Sequence, residues 1–407
     1  MTRRTKTRRQ LLHDGAVAAL GAPLAWASAP AILARLLGER GLRARAVDPE
    51  RALVVVRLNG GNDGLNTVVP FEDDAYHRAR STLRVPASEV LRVDDRLGLA
   101  PSLAPLEPLL ERGRIAVVPC AGYPSPNRSH FRSMEIWETA LPDREGVSSG
   151  WLGRALDAVD DAGALAGVSL GTPDLPLSLA GRSGRSTCVL SLDAYRLEAG
   201  PRPLLEAVAG APRDAGSETA FVADALRSAY GSAAALESAL AKGRASAEYP
   251  DTPLGRDLRS VARLLDAGFG TRLFHVDHSG FDTHSEQAGQ HARLLREFAD
   301  AVAAFLADLD RAGRSDRVLV LAFSEFGRRV RENGSRGTDH GAAGPMLLFG
   351  PVRPGVHGPP PDLDNLEDGD VRFAVDFRRV YAAILEGWLG WRAEPVLGEA
   401  FEPLPVV

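Results

Sequence analysis

Two runs of apolar residues near the start of the chain predict strands that are buried on both faces. Residues 52–58 read Ala-Leu-Val-Val-Val-Arg-Leu, almost continuously apolar and rich in β-branched side chains, and residues 115–119 repeat this pattern. Such runs are typical of a parallel sheet that is covered by helices on both sides. Leucines between the two runs, at 103, 106, 109 and 110, recur at helical spacing. The order strand, helix, strand predicts a right-handed parallel crossover.

A second unit of the same kind lies in the last third of the chain. Apolar runs at 272–277 and 317–323 predict two more buried strands. Between them, apolar residues from Leu294 to Leu309 form a stripe with a period of about 3.6 residues, as in a helix with one buried face. Weaker patterns predict strands at 167–170, 187–192 and 346–349, and helices within 221–265 and at 377–389.

This order of elements predicts an α/β fold with one doubly wound, mostly parallel sheet. We expect a single domain over residues 47–407, with a helical insertion at about 200–268. With 44% hydrophobic and 25% charged residues, the 407-residue chain has enough apolar material to bury a full core, which excludes a disordered protein.

The N-terminal segment has the pattern of a twin-arginine signal peptide. Arg8-Arg9-Gln10-Leu11-Leu12 precede an apolar run at 16–24 and a small-residue exit at 27–29. We expect recognition by the twin-arginine translocase, removal of residues 1–29 with residue 46 as the latest cleavage point, and a periplasmic or extracellular location. The alternative is a short basic membrane anchor, although the apolar run is shorter than the roughly 20 residues of a spanning helix. Because many cargoes of this pathway fold around a metal or cofactor before export, we expect a metal site.

The charge of the chain argues against a nucleic-acid-binding protein. The formal net charge is −5, and removal of residues 1–29 takes away five basic residues and one acidic residue, which leaves 43 basic against 52 acidic residues, or −9. The sequence has no basic stripe of the kind that binds nucleic acid. Of the 48 basic residues only Lys6 and Lys242 are lysines. Almost every positive charge is therefore a guanidinium, which binds oxyanions by paired donors.

The two cysteines, Cys120 and Cys188, have neither a CxxC partner nor a metal-ligand spacing. We expect both to be structural, with a disulfide between them as the alternative in an oxidising compartment. No apolar stretch after the signal is long enough to cross a bilayer.

Polar residues follow the predicted strands, where open parallel sheets bind their ligands. Carboxylates and imidazoles that arrive from distant segments at one edge are the ligands of a divalent metal. Without a cation or an arginine to neutralise them, mutual repulsion would raise the pKa values of the carboxyl groups and oppose folding. We therefore expect a divalent metal site at this edge. The candidate metal ligands are Asp63, Asp277, Asp282, His284, Glu325, Asp339 and His340.

Taken singly, several of these residues have simpler explanations. Asp63 follows a glycine pair and fits ordinary turn chemistry. Glu325 fits the acidic first turn of a helix, and His278 fits a hydrogen bond to a nearby carbonyl. The set as a whole is harder to explain in this way, because four of the nine histidines lie within residues 275–291.

Eight short segments also carry a resemblance to a known family: Arg8–Leu12, Leu58–Asn66, Arg128–Phe131, Gly150–Arg154, Gly280–His284, Ser324–Arg328, Glu332–Gly334 and Thr338–Gly341. Their motifs resemble the bacterial exported family called domain of unknown function 1501, over nearly the whole mature chain. The fold of that family resembles the alkaline phosphatase and sulfatase superfamily. Members of the superfamily bind one or two divalent metals at this edge of the sheet and cleave phosphate or sulfate esters. The resemblance therefore implies one or two divalent ions in this chain, with zinc, calcium and magnesium as the alternatives.

The resemblance implies roles for individual residues. Asp63 matches the superfamily aspartate after the first strand, and Asp282 matches the metal aspartate after a later strand. Asp277 falls where alkaline phosphatases carry an extra acidic ligand. His284 stands near the superfamily histidine, although it follows the aspartate by two residues rather than four.

The same resemblance leaves the second half of the site with alternatives. Glu325 falls where the superfamily has an Asp-His pair, and Phe326 replaces the histidine of that pair. His340 then corresponds to a separate downstream histidine, which we prefer because Glu325 directly follows the strand. The alternative takes Asp339 and His340 as the Asp-His pair.

The nucleophile of such enzymes sits at a helix start after the second strand, where the helix dipole and free amides favour an anion. Ser129 is the candidate here, with Ser125 second, and Arg128 or His130 is placed to contact a bound oxyanion. The alternative is that Ser129 only caps the helix.

Together these features predict a metal-dependent hydrolase of phosphate or sulfate esters. A metal would act as a Lewis acid, and arginines such as Arg128 and Arg328 would clamp the oxygens of the anionic ester. The rival interpretation is an exported binding or scaffold protein with a degenerate site, which recognises a surface glycan or a partner protein. A structural metal without turnover is the third.

Overall fold

The computed structural model describes residues 48–159, 165–191, 236 and 242–407. The predicted signal peptide, its cleavage points and most of the predicted helical insertion lie outside the described residues. Helix Pro253–Asp266 belongs to the described part of that insertion. The predicted domain boundaries stay a prediction.

The strands of the described residues form two sheets. In chain order the strands are β1 Ala52–Asn59, β2 Val68–Val69, β3 Leu91–Arg92, β4 Gly98–Leu99, β5 Ile115–Gly122, β6 Gly167–Leu170, β7 Ser186–Val189, β8 Leu273–Ser279, β9 Val318–Phe323, β10 Gly344–Phe349, β11 Gly355–Val356 and β12 Val375–Asp376. A central sheet of nine strands has the order β11-β5-β10-β9-β1-β8-β6-β7, with β12 also beside β5, and β2-β4-β3 form a small antiparallel sheet.

The central sheet is parallel except for β10, which pairs antiparallel with both β5 and β9. β1 lies between β8 and β9 and is parallel to both. This confirms the prediction of a mostly parallel α/β sheet. β1 and β5 share that sheet but are separated by β9 and β10, so the predicted first crossover joins strands that are not neighbours.

The continuous apolar run of β1 is explained by burial on both faces of the sheet. Val54 and Val56 point to one face of the sheet and belong to the hydrophobic core on that side. Leu53 and Val55 point to the opposite side and belong to a second core. Successive side chains of a strand alternate between faces, so a sheet covered twice requires apolar residues at nearly every position.

Helices cover both faces. The 3₁₀ helix Pro101–Leu106 and the helices Pro253–Asp266 and Gln287–Arg311 line the first core. The helices Trp151–Asp157 and Phe377–Ala382 and the π-helix Ala383–Leu389 line the second. No helix in the described ranges is long and apolar enough to span a membrane. The α-helices are α1 Asp74–Ala79, α2 Glu107–Glu111, α3 His130–Thr139, α4 Trp151–Asp157, α5 Pro253–Asp266, α6 Gln287–Arg311, α7 Phe377–Ala382 and α8 Glu394–Leu397.

The helix predicted from the leucines at 103–110 is a 3₁₀ helix followed by the short α2. Pro105 and Pro108 each lack the amide proton that a regular α-helix needs, which accounts for the broken geometry. The apolar stripe from Leu294 to Leu309 lies on one long helix, α6, as predicted.

The cysteines are not joined. Cys120 is buried in β5 and Cys188 is partly exposed in β7, and both are free thiols. Burial raises the pKa of Cys120 to about 12, so this thiol is protonated and unreactive at neutral pH.

The direction of the strands decides where polar loops meet. β5 and β9 are both antiparallel to β10 and therefore run the same way, and β1 and β8 share that direction. The loops that follow β1, β5, β8 and β9 thus leave the sheet at one edge, which is where parallel sheets place their sites.

Candidate metal centre

Four side chains from three separate loops meet at this edge of the sheet. His130 begins α3, Asp282 and His284 follow β8, and His340 precedes β10. One ligand atom each from His130, Asp282 and His340 lies within 4.8 Å of the others. The Nε2 atom of His284 is 2.9 Å from Asp282 Oδ1 and 3.0 Å from His340 Nε2. We call these four residues the histidine cluster.

The three imidazoles are oriented from behind. His130 Nδ1 lies 2.8 Å from Glu325 Oε1, and His340 Nδ1 lies 2.9 Å from the carbonyl oxygen of Arg128. His284 Nδ1 lies 3.5 Å from a carboxylate oxygen of Asp339. Carboxylates and carbonyls that accept a hydrogen bond from the outer nitrogen fix the tautomer and aim the other nitrogen at a metal.

With a proton on each Nδ1, the Nε2 lone pairs face one another and Asp282. His340 Nε2 is 3.1 Å from Asp282 Oδ1, and His130 Nε2 is 3.5 Å from Oδ2. Lone pairs and a carboxylate at such distances repel unless a proton or a metal cation lies among them. The hydrogen bond with Glu325 raises the pKa of His130 and outweighs the opposing effect of burial.

Glu325 stands behind His130. Its side chain is fully buried, Oε1 also accepts from the amide of Gly60 at 2.9 Å, and Oε2 accepts from Ser324 Oγ at 2.9 Å. Burial raises the pKa of Glu325, but the hydrogen bonds from His130 and from the protein outweigh it and lower the pKa. Both oxygens of this ionised carboxylate are thus engaged by protein donors.

Asp282 is held by Arg328, whose side chain is fully buried. The guanidinium donates to Asp282 Oδ1 at 2.8 Å and to backbone carbonyls, including that of Gly61 at 2.6 Å and that of Thr338 at 2.9 Å. Burial raises the pKa of Asp282, but hydrogen bonds from Arg328 and His340 lower it to about 2. Because its donors are engaged inside the protein, Arg328 fixes Asp282 and is not free to clamp a substrate, contrary to the expectation from the sequence.

The glycine pair after β1 allows the segments that carry Asp282 and Phe326 to pack closely against the loop after β1. Gly60 has a φ of +121°, and a Cβ atom there would lie 2.5 Å from the amide nitrogen of Asp282. Gly61 has a φ of +76°, and a Cβ atom there would lie 2.2 Å from the ring of Phe326. Only glycine accommodates both the positive φ and the close contact.

Asp63 lies in a buried ion pair rather than in the histidine cluster. Arg80, which is also fully buried, donates to Asp63 Oδ2 at 2.6 Å, and Gln287 donates to the same oxygen. Oδ1 has no hydrogen-bond partner among the described residues. Burial raises the pKa of Asp63, but Arg80 outweighs it and holds the pKa below its usual value.

Asp277 is likewise paired with an arginine. It lies within β8 rather than after it, and Arg57 donates to both of its oxygens, at 2.8 and 2.6 Å. His275 Nε2 is 3.0 Å from Oδ1. Burial raises the pKa of Asp277, and the contacts with His275 and Arg57 lower it below the usual value. The structure thus gives Asp63 and Asp277 arginine partners and brings neither into the cluster.

The candidate nucleophile stands beside the cluster in the chain. Ser129 is exposed at the start of α3. Its hydroxyl makes no hydrogen bond that caps the helix, although the alternative from the sequence gave it only a capping role. Its neighbour Arg128 donates from Nε to Asp370 Oδ2 at 2.8 Å. Ser125 lies in the exposed loop before it, with a φ of +55°.

Sequence reasoning underestimated His130, which it placed only as a contact for an oxyanion. The signal that could have identified it is position: a histidine at a helix start directly after β5 lies at the same edge as the other loops. Asp282, His284 and His340 meet as the sequence pattern suggested.

A family model described as "Protein of unknown function (DUF1501)" matches residues 114–386. This confirms the resemblance found in the sequence motifs. Among curated proteins, no sequence matches the chain at a significant level.

Solved structures with a similar fold include three bacterial proteins. The C-terminal periplasmic domain of EptC from Escherichia coli, in complex with Zn, is 11% identical, with a TM-score of 0.37 and 74% of this chain and 72% of that chain covered. The PsFucS1 sulfatase from Pseudoalteromonas sp. is 12% identical, with a TM-score of 0.36 and coverages of 93% and 72%. The alkaline phosphatase from the Antarctic bacterium TAB5 is 11% identical, with a TM-score of 0.29 and coverages of 75% and 94%. The bound zinc, the sulfatase and the phosphatase named here are properties of those proteins.

Proposed function

The chain belongs to the DUF1501 family of proteins of unknown function, and we propose that this member is an exported, metal-dependent hydrolase of phosphate or sulfate esters. The observation that carries the proposal is the histidine cluster. Three imidazoles and one carboxylate converge at the edge of the sheet, and each imidazole is held from behind by an acceptor.

The residues present fit a divalent cation. His130, His284 and His340 would hold it through Nε2, together with Asp282. A set of three neutral imidazoles and one carboxylate favours zinc over calcium or magnesium, which prefer oxygen ligands. The low pKa values of Asp282, Glu325 and Asp339 keep three negative charges beside the single positive charge of Arg328. The net charge of −2 on these four groups balances the +2 charge of a divalent cation.

When bound, the cation would supply a Lewis acid that polarises the ester and lowers the pKa of a hydroxyl or water. The surrounding residues have distinct parts. Glu325 and Asp339 orient His130 and His284, and Arg328 holds Asp282 in its ionised form. Ser129, at the start of α3, is the proposed nucleophile.

Arg128 is the proposed clamp for the anionic ester. Its Nε and NH2 groups are bound to Asp370, its side chain is 38% exposed, and its NH1 group makes no hydrogen bond to the described residues. A guanidinium anchored on one edge in this way keeps its other edge in a defined position for an oxyanion.

Metal analysis of protein purified without chelator tests the proposal. We expect one zinc ion per chain and hydrolysis of p-nitrophenyl phosphate or p-nitrophenyl sulfate. Asp282→Asn or His340→Ala should abolish both, because each removes one of four ligands. His357→Ala is the matched control, since the His357 imidazole lies away from the cluster and, among the described residues, bonds the carbonyl of Arg353 at 2.8 Å. A folded, metal-free and inert wild-type protein would refute the hydrolase.

A non-catalytic binding or scaffold protein is the second candidate, and one observation favours it. Arg80, Arg57 and Arg328 already neutralise three of the carboxylates that were expected to bind metal. Such a protein would bind a surface glycan or partner protein without a metal. Bound metal with no hydrolysis of any ester would indicate the third reading, a structural metal.

Export is proposed from the N-terminal pattern. We propose that the twin-arginine translocase carries the folded chain to the periplasm or the exterior. Replacement of Arg8 and Arg9 by lysine should retain the protein in the cytoplasmic fraction. Unchanged fractionation of this variant would contradict the pathway.

A further inference from the structure

The loop between β9 and β10 contains an asparagine that makes hydrogen bonds on both sides of its amide. Asn333 is half-buried and belongs to Glu332–Gly334, one of the motifs that carry the family resemblance. Its side chain accepts two hydrogen bonds and donates two. An asparagine amide has two protons and a carbonyl oxygen with two lone pairs, so the hydrogen-bonding capacity of this side chain is completely used.

The acceptor half of Asn333 closes a turn. The amides of Ser335 and Gly337 donate to its Oδ1 atom at 2.9 and 3.0 Å. A backbone amide can only donate a hydrogen bond, so the atom that faces these two amides is the oxygen, and the Nδ2 group points the other way. The main-chain amide of Asn333 also donates to the carbonyl of Gly337 at 2.8 Å.

The donor half of Asn333 faces the histidine cluster. One Nδ2 proton goes to the carbonyl oxygen of His284 at 2.9 Å, and the other goes to Asp339 Oδ1 at 3.1 Å. The same carboxylate oxygen lies 3.5 Å from His284 Nδ1. Asn333 therefore holds His284 by two routes, directly at its main chain and indirectly through the carboxylate behind its imidazole.

Asp339 needs a partner of this kind because its side chain is 58% exposed. An exposed carboxylate rotates among several orientations unless a donor fixes it. The distance of 3.5 Å to His284 Nδ1 is longer than that of an ordinary hydrogen bond, so a small rotation of the carboxylate would break this contact. Because Asn333 donates to the oxygen that faces His284, it opposes such a rotation.

The turn also packs directly on the main chain of His284. A Cβ atom at Gly337 would lie 2.2 Å from the carbonyl oxygen of His284. Close by, the amide of Glu286 donates to the carbonyl of Ser335 at 2.9 Å. These contacts join the loop after β8 to the loop before β10, and the two loops carry three of the four residues of the histidine cluster.

We propose that Asn333 is a positioning residue of the metal centre, which aims the imidazole of His284 through Asp339. The two halves of its amide have separate parts: Oδ1 holds the turn, and Nδ2 fixes the carboxylate behind His284. This inference rests on the proposed function, because it assumes that His284 binds the cation.

Two substitutions in the full chain separate these parts. Asn333→Ser keeps a hydroxyl that accepts from a turn amide but is too short to reach Asp339, and Asn333→Ala removes both halves of the amide. We expect both variants to lose about tenfold in zinc affinity, as after the loss of a residue behind a metal ligand. Competition with a chelator measures the affinity. The urea midpoint of the metal-free protein should fall in Asn333→Ala and stay near that of the wild type in Asn333→Ser.

Asn365→Ala is the matched control, because Asn365 is an exposed asparagine outside the histidine cluster. Its zinc affinity and urea midpoint should equal those of the wild type. A tenfold loss of zinc affinity in this control would contradict a specific role of Asn333.

A double-mutant cycle with Asp339 distinguishes positioning from a general effect on the loop. In the Asp339→Ala background the carboxylate that Asn333 fixes is absent, so Asn333→Ser should lower the zinc affinity only about twofold or less. Equal tenfold losses in the two backgrounds would show that Asn333 does not act through Asp339, which would overturn the inference.

The outcomes separate this inference from the proposed function. If the wild type binds zinc and Asn333→Ser binds it equally well, Asn333 only closes the turn, so the inference is wrong and the metal centre stands. If the wild type binds no zinc, the proposed function fails, and the positioning role of Asn333 fails with it.

Discussion

Two aspartates at the same edge of the sheet are neutralised in different ways. Asp63 follows β1, is fully buried, and is paired with the buried guanidinium of Arg80. Asp282 follows β8, its side chain is 49% exposed, and three imidazoles surround it in addition to Arg328. A buried carboxylate cannot rely on solvent, so its counter-charge must be part of the chain. An exposed carboxylate among imidazoles can take a cation from solution.

The comparison explains why position after a strand is a weak guide to metal binding. Asp63 and Asp282 occupy equivalent places in the pattern of the sequence, yet burial and the nearest cation differ. The arginine-paired aspartate belongs to the structure of the loop, whereas the histidine-surrounded aspartate has the surroundings of a ligand.

Removal of Arg80 should break the buried side of the comparison. Arg80→Met leaves Asp63 as an uncompensated charge in the protein interior, so we expect the free energy of unfolding to fall by about 3–5 kcal/mol. Urea unfolding measures the change. Arg293→Met is the control, because its pair with Glu297 is exposed on α6 and should contribute less than about 1 kcal/mol.

A paired substitution sharpens the same test. Asp63→Asn combined with Arg80→Gln removes both charges and should recover most of the lost stability. It should also bind zinc as the wild type does, because Asp63 lies outside the histidine cluster. Retained stability with lost zinc would show that Asp63 binds the metal after all.

The buried region should also respond to pH through His291. Burial lowers the pKa of His291 to about 4, and its Nε2 atom lies 2.8 Å from Asn62 Oδ1. The folded pKa lies below the unfolded value of about 6.5, so the unfolded state binds more protons between pH 6.5 and 4. Stability from this group is therefore present above pH 6.5 and lost as pH falls, by about 1.4 kcal/mol per pH unit.

Urea unfolding of the wild type and His291→Gln at pH 7.5, 6 and 5 checks this slope. The variant should lose less stability than the wild type over the same range, because it has no imidazole to protonate. Parallel pH profiles for the two proteins would contradict the assignment.

The exposed side of the comparison depends on residues behind the imidazoles. Glu325→Gln keeps the shape of the side chain but weakens the acceptor for His130, so zinc affinity should fall about 10- to 100-fold. Competition with a chelator measures the affinity. Asp376→Asn is a control, since that carboxylate pairs with Arg378 elsewhere. An unchanged affinity would mean that Glu325 has no role in orienting His130.

Much of the fold could be predicted because burial on both faces leaves a strong pattern. The apolar runs of β1, β8 and β9 are such cases, and β1 lies between β8 and β9 and is parallel to both. The direction of β10 could not be predicted, because an apolar run carries no information about orientation. Pro105 and Pro108 indicate a break in the helix, but the helical spacing of the leucines predicts a continuous one.

The candidate site could likewise be predicted only in part. Asp282, His284 and His340 could be selected because carboxylates and imidazoles are concentrated after strands. The position of His130 after β5 is visible in the sequence, but only the folded structure shows that its Nε2 atom lies 3.5 Å from Asp282. The partners of Asp63 and Asp277 could not be predicted, since Arg80 is 17 residues from Asp63 and Arg57 is 220 residues from Asp277.

The sequence by itself determined the α/β class, the doubly covered sheet and the pool of acidic and imidazole residues, because these follow from composition and local periodicity. Its short motifs carried the family resemblance. Only the tertiary structure decided which carboxylates are buried in a pair with an arginine and which one lies among three imidazoles. Electrostatic partners are chosen by distance and burial in space, and neither quantity is written in the spacing of residues along the chain.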